Sequence, residues 1–167
     1  MTHQSESRGE IMSLVYSTSK DLRSFSLFSE LSTEECSTLA PLFQVQDYPA
    51  GSVLIKLDDV LANLMLIESG IVEVKLPLVG AGGSTSVARF GPGECVGELS
   101  LTRIPRRAAS ATAEVDCRCL VADTAKLNAL FEANPKIGFV VFRKLSAIIT
   151  ERLVATNMKL RNSESHF

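Results

Sequence analysis

A chain of 167 residues with 17 Lys and Arg against 19 Asp and Glu has the length of one domain and a net charge of −2. Apolar residues make up 46% and charged residues 22%, which argues against a disordered or low-complexity chain, and the slight acidity supplies no general field for DNA or an anionic membrane. The two histidines, His3 and His166, fall in the expected tails, so Ser-His-Asp hydrolysis, His-ligated zinc and haem or metal chemistry inside a barrel are disfavoured.

The four cysteines, Cys36, Cys95, Cys117 and Cys119, lie in apolar or strand-like stretches without a Cys-x-x-Cys pair. They are expected to be buried, reduced thiols of a cytosolic protein rather than zinc ligands. Met1 to Glu10 is polar and no stretch approaches the ~20 apolar residues of a membrane span, which predicts a cytoplasmic chain without a membrane segment.

In chain order, residues 1–20 read as a polar tail with one apolar patch at Ile11, Met12, Leu14 and Val15. The domain is expected over 21–160. Its first firm helix starts at Ser32, where Ser32-Thr33-Glu34-Glu35 fits a capping box, with Leu31, Leu39, Leu42 and Phe43 on its apolar side and Pro41 limiting its length. From about 43 to 122 the pattern becomes short alternating runs between turn residues. Val53 to Ile55, Asn63 to Ile67, Ile71 to Leu76, a run ending at Phe90, Ala109 to Val115 and Cys117 to Val121 are the predicted strands. Val72, Val74 and Leu76 are expected to share one face, with Glu73 and Lys75 on the other.

Over 124–160 the period is helical again. Asp123 or Thr124 caps a short helix through Leu127, Leu130 and Phe131; Asn134-Pro135 then opens a long one, with Pro135 at the first position. Phe142, Leu145, Ile149, Leu153, Thr156 and Leu160 form its stripe, widened by Val141, Ile148 and Ala155. One side can cover the barrel, and the other is apolar enough to pair with a second copy as a homodimer. Residues 161–167 are a C-terminal tail. The predicted fold is mainly β with flanking helices: a small antiparallel β-barrel or jelly roll with an N-terminal helix and a long C-terminal helix.

The chemistry concentrates between Gly91 and Ala113, GPGECVGELSLTRIPRRAASATA. Gly97-Glu98-Leu99-Ser100-Leu101 reads as one helical turn after a strand, whose first N–H groups suit an anion. Arg106 and Arg107 lead into Ala108, Ala109, Ala111 and Ala113, small residues that leave space above a sheet. An arginine at a barrel mouth suits bidentate phosphate recognition, whereas Glu98 is better matched to a sugar hydroxyl beside the phosphate.

This cassette resembles the phosphate-binding cassette of the cyclic nucleotide-binding domain family, which includes bacterial catabolite activators, regulatory subunits of cAMP-dependent protein kinase and cyclic-nucleotide-gated channels. The matching residues are Gly97-Glu98-Leu99-Ser100-Leu101 and Arg107-Ala108-Ala109-Ser110. The likeness extends to Phe28-Ser29-Glu30-Leu31-Ser32, Pro49-Ala50-Gly51-Ser52, Ser69-Gly70-Ile71-Val72-Glu73-Val74 and Phe90-Gly91-Pro92-Gly93-Glu94. The resemblance implies that Arg107 pairs with the cyclic phosphate and that Glu98, helped by the Gly97 backbone, accepts the ribose 2′-hydroxyl. It further implies that the N–H groups of Ser100 and Ala109 line the phosphate, with the Ser110 side chain assisting and Leu99 and Ala108 in the same ligand-binding stretch. Arg106 reads as rim charge. Ala108 resembles the cAMP-preferring rather than the cGMP-preferring pattern, and Thr156-Asn157 fall where activators reach the base.

Two departures stand out. Leu57-Asp58-Asp59 replaces the family's frequent Glu-Gly-Asp, and Cys95-Val96-Gly97 lacks the aromatic that often precedes the glycine. The chain ends at Phe167, shortly after Leu160, which predicts no helix-turn-helix and no DNA contact; Lys136, Arg143, Lys144, Arg152, Lys159 and Arg161 read as a solvated basic face. The expectation is a non-enzymatic receptor, without cofactor, for a cyclic nucleotide (cAMP before cGMP), acting on an unidentified effector protein through its C-terminal helices. A ligand-free interaction or dimerisation module and a cyclic di-GMP receptor are the alternatives.

Overall fold

The computed structural model describes residues 21–60, 63–78, 80, 82–102 and 109–164. The tail at 1–20 with its apolar patch, Arg106, Arg107, Ala108 and both histidines lie outside the described residues. Eight strands form two antiparallel four-stranded sheets: β1 (Phe43–Tyr48), β2 (Val53–Ile55), β3 (Asn63–Ser69), β4 (Val72–Pro77), β5 (Ser84–Phe90), β6 (Cys95–Val96), β7 (Ser110–Ala113) and β8 (Cys117–Asp123). One sheet runs β1-β8-β3-β6 and the other β2-β7-β4-β5, so the order crosses repeatedly between sheets in the manner of a jelly roll. Helices α1 (Thr33–Leu39), α2 (Thr124–Ala133) and α3 (Pro135–Glu164) flank it. Among the described residues no helix is long and apolar enough to cross a membrane.

Local chemistry sets the helix ends. Ser32 Oγ accepts from Glu35 N at 3.2 Å while Glu35 Oε2 accepts from Ser32 N at 2.8 Å, closing the capping box of α1. The Asp123 carboxylate accepts from Ala125 N and Lys126 N at 2.8 and 3.2 Å and so caps α2. Asn134 leaves the helical region and Pro135 starts α3, a helix of 30 residues and about 45 Å.

Packing occurs on both faces of the first sheet. Leu64 and Leu66 of β3, with Leu120 and Ala122 of β8, face a core built with Phe25, Phe28, Phe43, Leu127, Val141 and Leu145. Met65 and Ile67, with Cys117 and Cys119, face the barrel interior with Val72, Val96, Ala111 and Ala113. Burial on two sides explains why β3 is a continuous apolar run without alternation.

The alternation expected in β4 fades along the strand. Val72 is fully buried and Val74 half-buried, but Leu76 is exposed and Glu73 is half-buried beside Lys75 at 2.9 Å. The pairing with β5 shifts register between Val74 and Lys75, which turns the end of the hairpin away from the core. On α3 the barrel-facing stripe is Ile137, Val141, Leu145 and Ile148; Phe142, Leu153 and Leu160 of the expected stripe are exposed. The helix carries apolar residues around more than one face, so its sequence period alone does not select the buried one.

Two outcomes follow from this packing. Gly70 joins β3 to β4 at φ +93, and a Cβ there would lie 2.5 Å from both Asp116 O and Cys117 Sγ. Gly70→Ala is therefore expected to cost at least about 2 kcal/mol in urea unfolding, through left-handed strain plus the clash; an unchanged midpoint would contradict that close approach. Burial pushes the thiols up, Cys36 to about 11 and Cys95 and Cys119 to about 12. All four free cysteines should react slowly with a thiol reagent at pH 8 until denaturant is added, because the thiolate is the nucleophile. The unfolded chain loses these protons near the ordinary thiol value, so the stability they contribute is complete below it and falls as pH climbs towards about 12. A rapid native-state burst of labelling would be the contrary result.

Candidate functional site

The site begins where β6 ends. Cys95 and Val96 pair with Leu66 and Met65 of β3, which fixes the strand at the barrel end. Gly97 then takes φ 77 and ψ 13, and this left-handed step turns the chain into the 3-10 turn Glu98–Leu101. The preceding Gly91-Pro92-Gly93 turn is held from several sides: Gly93 N donates to Ile67 O at 2.9 Å, Ser26 N to Gly93 O at 2.8 Å, and Gly91 N to Glu94 Oε2 at 2.8 Å.

The turn lies beside a pocket with about 620 Å³ of empty space, its solvent-open mouth included. Ile55, Val74, Ala88, Val96, Leu99 and Ala111 make most of its wall apolar, and small residues from β5 and β7 keep it open. Polar groups are few: Glu98, Ser110 and Arg152. Glu98 is only 8% exposed, an expensive position for a carboxylate without a counterion.

The counterion comes from α3. Arg152 Nη1 lies 2.8 Å from Glu98 Oε1, and Arg152 Nη2 donates to Cys95 O at 2.7 Å. Its guanidinium carbon sits 3.9 Å from the centroid of the Phe90 ring, a cation–π stack. Two turns further on, beyond Thr156, Lys159 Nζ donates to Val87 O of β5 at 3.0 Å. The C-terminal half of α3 is thus tied to the barrel by Arg152 on the pocket wall and by Lys159 at β5.

The residues expected at the site fall into three groups. Gly97, Glu98, Leu99, Ala109 and Ser110 come together on the pocket wall. Ser100 does not: it is buried, its N–H donates to Gly97 O at 3.0 Å, and its hydroxyl donates to the same oxygen at 2.5 Å. Thr156 and Asn157 are exposed on α3, and Thr156 Oγ1 donates to Arg152 O at 2.9 Å, so α3 meets the pocket one turn earlier than expected. Arg107 and Ala108 lie outside the described residues.

Ser110 Oγ accepts from Leu57 N at 3.1 Å, which docks the loop after β2 onto the site. In that loop Asp58 adopts φ 65, the left-handed conformation that the family's glycine would take at lower cost. The residue that sequence reasoning missed is Arg152. Its basic neighbours make it resemble one more solvated cation, yet it stands four positions after Ile148 on the barrel-facing stripe, where a charge calls for a buried partner. Among the described residues no group of three or more His, Cys, Asp or Glu could hold a metal ion.

Comparison with known proteins agrees with this geometry. The family model described as "Cyclic nucleotide-binding domain" matches residues 45–134. The "Cyclic AMP receptor protein" of Thermus thermophilus is 32% identical over 134 residues, which are 80% of this chain and 60% of that protein. "Glutaminase 2" of Bradyrhizobium diazoefficiens is 29% identical over 134 residues, 80% of this chain but 20% of that protein. The chain therefore spans a fifth to three-fifths of these two relatives. Among solved structures, a cyclic nucleotide-binding domain from Methylobacillus flagellatus superposes with a TM-score of 0.76 at 24% identity, covering 93% of this chain and 84% of that one, and it supports the fold. Barrel topology, the Gly97 turn beside an apolar pocket and the match over residues 45–134 converge on one conclusion: the chain belongs to the cyclic nucleotide-binding domain family.

Proposed function

We propose that this chain is a cytoplasmic receptor for a cyclic nucleotide, cAMP in preference to cGMP, that signals through α3 to a partner protein and carries out no chemistry of its own. The observation that carries the reading is a buried carboxylate, Glu98, on the wall of an otherwise apolar pocket at the start of a tight helical turn. A nucleotide needs those features together: an apolar wall for the base, an acceptor for the sugar hydroxyl, and backbone N–H groups with an arginine for the phosphate. By family likeness Arg107 is that arginine, and Ala109 and Ser110 line the same pocket as Glu98. The printed name of the Thermus thermophilus relative, a cyclic AMP receptor, and Ala108 in the sequence support cAMP.

The output lies on the opposite side of α3. Phe139, Leu153 and Leu160 are each more than half exposed and share one side of the helix, an apolar face that a second copy of α3 would cover. Ligand binding alters such a surface only if the two states of α3 differ in affinity for the nucleotide.

The test is titration calorimetry with cAMP, cGMP and cyclic di-GMP on wild type and Arg107→Ala. Micromolar or tighter cAMP binding is expected, with Arg107→Ala weakening it by about 2–5 kcal/mol as an anion loses its charged partner. Heat from none of the three nucleotides would favour a ligand-free interaction module. Binding that the Arg107→Ala variant keeps at full strength would remove Arg107 from the site.

A further inference from the structure

Ser110 opens β7 on the pocket wall, half-buried, and its hydroxyl already serves a second element, since Ser110 Oγ accepts from Leu57 N at 3.1 Å. A hydroxyl carries one proton and two acceptor positions, so accepting from Leu57 leaves that proton to donate. Leu57 is the second residue of the turn Lys56-Leu57-Asp58-Asp59, closed by Asp59 N donating to Lys56 O at 3.3 Å. Asp58, the third, sits at φ 65, where such a turn favours glycine. The turn is thus closed against backbone strain. It follows β2, an edge strand of three residues that pairs only with β7, and Lys56, Asp58, Asp59 and Val60 are exposed. The bond from Leu57 N to Ser110 therefore fastens a strained, solvent-facing turn to the wall of the pocket.

We infer that Ser110 is a relay between the pocket and this turn: its hydroxyl takes the Leu57 N–H and gives its own proton to the phosphate of a bound nucleotide, so that the loop after β2 reads occupancy independently of α3. The inference rests on the receptor reading above and deepens it. Of the three polar side chains on the wall, Glu98 as a carboxylate only accepts, and Arg152 is turned to Glu98 and Cys95. The Ser110 proton is left for the acceptor-rich end of the ligand. Donating it fixes the hydroxyl rotor and polarises the oxygen, which strengthens the bond it accepts from Leu57. By linkage, a turn held more firmly in the bound state raises affinity in return. A Ser110 that merely fastens the loop predicts the opposite, a bond indifferent to the nucleotide.

The experiment follows hydrogen exchange of the Leu57 amide by NMR on the full chain, without nucleotide and with saturating cAMP, in wild type, Ser110→Ala and Ser110→Thr. Calorimetry on the same preparations gives the affinity. Gly51 N, which donates to Ala113 O at the other end of β2, is the reference amide, so slowing common to the whole fold is divided out. In wild type, cAMP should slow Leu57 relative to Gly51 by about tenfold, the scale of one hydrogen bond. In Ser110→Ala, cAMP should leave that ratio unchanged within about twofold while binding about three- to tenfold more weakly. Ser110→Thr keeps a hydroxyl and should keep the slowing. A wild-type Leu57 indifferent to bound cAMP, or slowing as large in Ser110→Ala, overturns the relay and leaves the receptor standing. Ser110→Thr that behaves as Ser110→Ala overturns it too. Should Ser110→Ala fail to fold or to bind, slowing in both wild type and Ser110→Thr supports the relay and indifference in either overturns it. No heat with cAMP, cGMP or cyclic di-GMP in wild type overturns the receptor reading itself, and the relay falls with it.

Discussion

The contact on which the site depends is the ion pair between Glu98 and Arg152, which joins the barrel to a helix far along the chain. A carboxylate at 8% exposure loses most of its hydration, and attraction to a cation offsets that loss only with good geometry and further hydrogen bonds. Here the geometry is supplied by two independent pieces of local structure. The left-handed Gly97 aims Glu98 at the pocket, and the turns of α3 after Ile148 bring Arg152 to the same point. Removing either charge would leave the other buried and uncompensated, typically at a cost of about 3–5 kcal/mol.

That pair matters more because of what α3 lacks beyond it. Up to Ile148 the helix buries Ile137, Val141 and Leu145 against α2 and the first sheet, and its position follows from hydrophobic packing. Ile149 still packs half-buried against that core, but beyond it the large apolar residues Leu153, Val154, Met158 and Leu160 are exposed. Its attachments to the barrel there include Arg152 and, on the β5 edge, Lys159. A segment held by polar contacts opens at lower free energy than one held by a core, and one of these contacts, Arg152, lies on the pocket wall. Strong packing over the first half and polar tethering over the second place the adjustable part of the helix beside the site.

Much of this was legible from sequence because local chemistry decides it. The Ser32–Glu35 box, the Asp123 cap and the Asn134-Pro135 junction each depend on residues within one turn of each other, and each forms as read. The strands were legible through punctuation by turn residues, and the Gly97-to-Leu101 turn through its glycine. What escaped was largely long-range. No pattern in β4 announces the register shift at Val74, which depends on its partner strand. Ser100, expected to offer its N–H to the phosphate, donates both its N–H and its hydroxyl to Gly97 O within the 3-10 turn, a local bond that the spacing of residues does not announce. Arg152 was hidden among six basic residues of one helix, and only the juxtaposition of α3 with β6 separates it from the solvated ones.

The same juxtaposition explains how one helix can serve two purposes. Residues that recur at three-, four- and seven-residue steps present Ile148, Arg152 and Lys159 to the barrel and leave Leu153 and Leu160 outward. A rigid helix cannot change one of these faces without moving the other. A movement of α3 that withdrew Arg152 would leave Glu98 buried without its cation, so the position of the helix and the charge balance of the pocket wall are tied together.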